Sequence, residues 1–158
     1  MQPGVFPFTV PWLLPTFALE LSAPVTFLVG ENGTGKSTLL EAIAWSVGFG
    51  AQGGIPFSVS TSLRRRLVLL DEPEAALSPQ RQLAFLRILH DLTAQKIAQF
   101  VIATHSPMLL TFPGATIFTL DAGQMRRVTY QETDHFQITR DFLNAPERYY
   151  RHLLEEGD

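Results

Sequence analysis

The chain has 158 residues, 46% hydrophobic and 17% charged, a balance that suits one domain over 1–158 with a packed core and argues against disorder. Its formal net charge of -3 gives no support to nucleic-acid binding by bulk charge, leaving only a local basic patch for that role. With no cysteine, a disulfide framework and a Cys-based metal site are both excluded, and a reducing, cytoplasmic setting is expected.

Residues 1–24 read as a proline-rich N-terminal edge segment. Met1-Gln2-Pro3-Gly4 has no basic start, so no signal peptide is expected. Pro7, Pro11 and Pro15 break the apolar stretch Val5 to Leu21, so it predicts no membrane-inserting helix. Phe17, Leu19 and Leu21 alternate with Ala18, Glu20 and Ser22, the pattern of a short edge strand. Val25–Val29 is a compact apolar run and predicts a buried strand. A helix is predicted from about Gly35 to Val47, with Leu39, Leu40, Ile43, Ala44 and Val47 on one face.

Residues 48–66 form a shortened or gapped insert with no clear period, rich first in glycine and then in serine. Leu67–Leu70 predicts a second buried strand, ending on Asp71-Glu72-Pro73. Ser78-Pro79 has the form of a helix N-cap with proline in the first turn. That helix is predicted to reach about Ala94 and to bury Leu83, Leu86, Leu89 and Leu92. Phe100–Ala103 is a third buried strand, followed by Thr104-His105-Ser106-Pro107. Thr116–Leu120 and Met125–Tyr130 flank Asp121-Ala122-Gly123 as a hairpin. Ile138–Leu143 and Pro146–Glu156 predict two terminal helices. Strands alternating with helices indicate an α/β fold, with a mainly parallel central sheet covered on both faces.

Three short motifs carry chemistry. Gly30-Glu31-Asn32-Gly33-Thr34-Gly35-Lys36-Ser37-Thr38 fits G-x-x-x-x-G-K-S between a predicted strand and a predicted helix. A polyphosphate needs many donors at close range. Glycines let backbone N–H groups face inward, and the helix start offers its positive end. Lys36 is expected to reach the β- and γ-phosphates of ATP, and the Ser37 hydroxyl to ligate Mg²⁺. In the second motif, Leu67-Val68-Leu69-Leu70-Asp71-Glu72, carboxylates close a buried strand, a costly place unless a cation faces them. Asp71 is expected to hold Mg²⁺ and Glu72 to orient or deprotonate the attacking water. The third is His105, after the third strand, expected to sense the γ-phosphate. His90, His135 and His152 lie on or near predicted helices and are expected at the surface.

With Pro73-Glu74-Ala75-Ala76-Leu77-Ser78, these motifs resemble those of the ATP-binding cassette ATPases. They are most similar to the soluble, stand-alone ATPases of that superfamily, relatives of SMC and OLD-type proteins. The resemblance runs from about Phe6 to Leu154 and implies a P-loop NTPase three-layer fold, with the third strand between the other two. It implies that Asp71 is the magnesium aspartate, Glu72 the catalytic glutamate and His105 the switch histidine. Glu74 to Ser78 resemble the loop that crosses a nucleotide-sandwiched dimer, which implies a homodimer or a partner ATPase subunit. The family's adenine-stacking aromatic would be Phe6, Phe8, Trp12 or Phe17. One departure is large. Only residues 37–70, 34 in all, separate Lys36 from Asp71, where the family carries a helical subdomain and a serine-glycine signature. Excision, a defective gene, or residues absent from the sequence between Val59 and Arg66 would each produce this spacing.

The residues therefore point first to Mg-dependent ATP hydrolysis, and alternatively to a non-hydrolysing nucleotide-binding module completed by a partner. A nucleotide kinase shares the first motif, but Asp71-Glu72 and His105 argue against it. Arg64-Arg65-Arg66 reads as a solvated cluster, and Arg126-Arg127 as a hairpin edge.

Overall fold

The computed structural model describes residues 18–47, 58–61 and 66–155. In chain order the elements are strands β1 (Ala18–Leu21) and β2 (Val25–Val29), helix α1 (Lys36–Ser46), strands β3 (Ser58–Thr61) and β4 (Arg66–Asp71), helix α2 (Pro79–Ala94), strand β5 (Ala98–Ala103), helix α3 (Pro107–Leu110), strands β6 (Thr116–Thr119) and β7 (Arg126–Val128), and helices α4 (Asp134–Asn144) and α5 (Pro146–Glu155).

The central sheet runs β4-β5-β2-β6-β7. Its first four strands are parallel, and β7 returns antiparallel beside β6. β5 thus lies between β2 and β4, as expected. Side chains alternate between the two faces, because successive residues of a strand point opposite ways. On one face Leu28, Val101 and Ala103 pack with Leu39, Leu40 and Ile43 of α1, and with Leu19, Leu21 and Leu120. On the other, Phe27, Phe100, Ile102 and Ile117 pack with Leu89 of α2 and with Leu109 and Leu110 of α3. The result is helix, sheet, helix: the three-layer α/β arrangement of P-loop NTPases.

Several expectations are corrected. Leu83 is 57% exposed. At 3.6 residues per turn it stands about 120° from Leu89 and about 180° from Leu92 around the helix, off the face that α2 buries. Val47 caps the C-terminal end of α1 and is exposed, while Ala42 is buried. β1 pairs in parallel with β3, so the region read as having no period contains a strand, and these two form a separate sheet. α3 was not anticipated, and α4 begins at Asp134, where the Thr133 hydroxyl accepts the Phe136 N–H. Phe6, Phe8, Trp12, Phe17, the 62–65 junction, Arg64 and Arg65 lie outside the described residues. Arg66 opens β4 and is exposed. Among the described residues no helix is long and apolar enough to cross a membrane.

Candidate functional site

The parallel strands all deliver their carboxyl ends to one edge of the sheet. Val29 is level with Thr119, Leu28 with Ala103, and Ala103 with Asp71. Three backbone bonds carry the alignment beyond the strands: Thr104 N–H to Leu28 O at 3.1 Å, Leu120 N–H to Val29 O at 2.9 Å, and Glu72 N–H to Ala103 O at 2.9 Å. The glycine loop, Asp71-Glu72, Thr104-His105 and Asp121 therefore share that edge. Only β5 separates the loop's strand from the acidic strand, so their tips are roughly 10 Å apart.

The loop's shape follows from its glycines. Gly30, Gly33 and Gly35 adopt φ of 148°, 85° and 96°, values that side-chain-bearing residues rarely tolerate. At Gly30 space is tight as well: a Cβ there would stand 2.8 Å from Thr34 Oγ1 and 3.0 Å from Asp121 Oδ1. Beside Gly33, by contrast, a Cβ would meet nothing within 4 Å. Gly35 precedes α1, and among the described residues no side chain caps that helix, so its start can serve an anion. Lys36 is buried. Its ammonium donates to Gly30 O at 2.8 Å and Glu31 O at 3.2 Å, which keeps a buried charge satisfied within the loop. The Thr34 hydroxyl donates to Glu31 O at 2.9 Å. Glu31, Asn32, Ser37 and Asp71 are exposed, and Thr38 is half-buried.

Glu72 has a left-handed backbone, φ 44°. Such strain in a side-chain-bearing residue costs roughly 1–3 kcal/mol and tends to mark working sites. Its Oε1 stands 3.2 Å from His105 Nε2, although Nε2 makes no aligned hydrogen bond. The ring is held from behind, where His105 Nδ1 is 2.8 Å from His135 Nε2. Its backbone N–H donates to Glu74 Oε1 at 2.6 Å. Glu74, placed by resemblance in a dimer-crossing loop, therefore also anchors the histidine of its own chain.

Two residues of this edge escaped the sequence reading. Asp121, read as a hairpin turn, accepts the Glu31 N–H at 3.0 Å and the Thr119 hydroxyl, tying β6 to the glycine loop. Burial acts to raise its pKa. The bonds from Thr119 and Glu31, with the charges of His135 and Lys36, outweigh it and hold Asp121 below the usual carboxylate range. His135, expected at the surface, is partly buried against His105. Burial first, then the His105 charge, pushes its pKa down, against the pull of Glu31 and Asp121. A helix start at Thr133-Asp134 was the signal that could have turned His135 inward. His90 and His152 are exposed, as expected.

The donor set fits a polyphosphate: an uncapped helix start, a glycine loop that a Cβ at Gly30 would crowd, and a buried ammonium. Among the described residues no cluster of three His, Asp or Glu could hold a metal. Mg²⁺ requires no such cluster, since one or two protein oxygens and the substrate's phosphates complete its shell.

No curated protein matches the chain. Residues 15–87 match the family described as an AAA domain; the matched stretch contains the glycine loop, α1 and Asp71-Glu72, and stops short of His105. That match supports a P-loop ATPase, and over the matched residues the glycine loop and the acidic strand are similar to that type.

Proposed function

We propose that this chain binds Mg-ATP and hydrolyses its γ-phosphate in the manner of an ATP-binding cassette ATPase. The observation that carries the reading is the meeting of the glycine loop, Asp71-Glu72 and His105 at the carboxyl ends of β2, β4 and β5. Amides of 30–38 and the Lys36 ammonium hold the phosphates where charge develops, the largest contribution in phosphoryl transfer. Ser37 and Asp71 would hold Mg²⁺, which when bound would neutralise phosphate charge. Glu72 orients the attacking water and accepts its proton, and His105, beside Glu72, contacts the γ-phosphate. The reaction is expected in the cytoplasm.

Phosphate release with Mg-ATP tests this. Glu72→Gln keeps the shape of the side chain and removes the base, so its rate is expected to fall roughly a hundredfold or more. Equal rates in both proteins would remove Glu72 from the mechanism.

The 34-residue spacing between Lys36 and Asp71 favours a second reading, a non-hydrolysing module that pairs with a copy or a partner subunit. ATP-dependent association without phosphate release would select it.

A further inference from the structure

Beyond the motif residues, the structure places a second imidazole behind the first. His105 Nδ1 and His135 Nε2 are 2.8 Å apart, with ring centroids 4.9 Å apart and planes tilted by 50°. The two rings come from different elements, His105 following β5 and His135 lying in the first turn of α4. A contact this short needs one proton between the two nitrogens, and its owner fixes the tautomer of His105.

Electrostatics choose the owner. If His105 carried its proton on Nδ1, its bare Nε2 lone pair would face the Glu72 carboxylate 3.2 Å away, acceptor against anion. If instead His135 donates from Nε2, His105 keeps its proton on Nε2 and presents an N–H to that carboxylate. Burial favours a neutral His135, which then has one ring proton to give. The groups bearing on that ring are His105, Glu31, Asp121 and Lys36. Among the described residues no other side chain is hydrogen-bonded to His105 Nδ1, and Glu74 holds the backbone N–H rather than the imidazole.

We infer that His135 is a positioning residue: its Nε2–H donates to His105 Nδ1 and holds the Nε2–H of His105 toward Glu72, keeping His105 a hydrogen-bond donor at the edge where the phosphates would lie. Partners that orient a metal-ligating imidazole in this way are worth about tenfold to a hundredfold, and a loss of that order is expected here. The kinetic consequence rests on the hydrolytic reading above, whereas the hydrogen bond itself does not.

Two measurements separate the parts. Nitrogen-15 spectra of the full chain without nucleotide, near neutral pH, read the protonation of each histidine ring. The expected result is a proton on Nε2 of both His105 and His135, with His105 Nδ1 shifted as an acceptor; in His135→Leu that Nδ1 signal moves to the position of a free acceptor. A proton on His105 Nδ1, or His105 signals unmoved by His135→Leu, overturns the inference. Steady-state hydrolysis then compares His135→Leu with His135→Gln, whose amide N–H can replace the lost donor. Leucine is expected to lower kcat roughly tenfold or more with little change in KM, and glutamine to restore most of it. A glutamine variant as slow as leucine, or a change confined to KM, contradicts a positioning role. If the wild type releases no phosphate, the hydrolytic reading fails and the spectra alone decide the histidine pair.

Discussion

Asp121 shows how one residue can couple the sheet to the loop. Through Thr119 and Glu31 it links the tip of β6 to the first turn of the glycine loop, and its pKa is held down in the process. His135 is depressed from its usual 6.5. Both shifts give stability the same sign with pH. Below about 6.5 the unfolded chain takes up a proton that the native His135 refuses, so stability falls with pH until the native ring also protonates. The Asp121 contribution is intact above 3.8, the ordinary aspartate value, and is lost as pH drops through its lower folded value. Thermal unfolding followed from neutral pH into acid is expected to show a falling midpoint, with His135→Leu flattening the upper limb. A midpoint that rises on acidification contradicts the assignment. Neither residue was legible from the sequence as part of the edge. A turn aspartate and a helical histidine gain partners only through folding, from Glu31 and His105, which lie 90 and 30 positions away.

At the scale of elements, apolar runs and breaks were read more readily than helix faces. Val25–Val29 was read to the residue, because four of its five side chains are apolar and all five are buried. α2 was placed correctly at both ends by Ser78, whose hydroxyl accepts the Arg81 N–H, and by the loss of pattern after Ala94. Its face was partly misread: Leu83 points to solvent while Leu89 is fully buried. Chemical denaturation distinguishes them. Leu89→Ala is expected to cost about 2–5 kcal/mol through the cavity it leaves, and Leu83→Ala less than about 0.5 kcal/mol, as for other surface changes. Equal losses would mean that α2 packs through a different face. β3 was invisible because Ser58-Val59-Ser60-Thr61 carries little apolar signal, and parallel pairing with β1 joins segments about 40 residues apart that no local turn announces.

For the whole molecule, the α/β layering was legible because the parallel strands are mostly apolar, with buried Thr26, Gln99 and Thr119 as the polar exceptions, and the position of β5 was expected from the fold type. The glycine loop was equally legible, since its φ values above zero demand the glycines the sequence supplies. The four strands align their carboxyl ends, and the loop, the acids and His105 meet there. β4 lies at one end of the central sheet, and its residues Leu67 to Leu70, expected as a buried strand, are only partly buried. The central claim is that the loop and Lys36 enclose the phosphates of a bound nucleotide. Calorimetric titration of Mg-ATP into the wild type and Lys36→Ala tests it most directly. Saturable wild-type binding is predicted, weakened in Lys36→Ala by roughly tenfold to a hundredfold, the equivalent of one charge-assisted hydrogen bond. Equal affinity in both proteins, or no binding by the wild type, would contradict it.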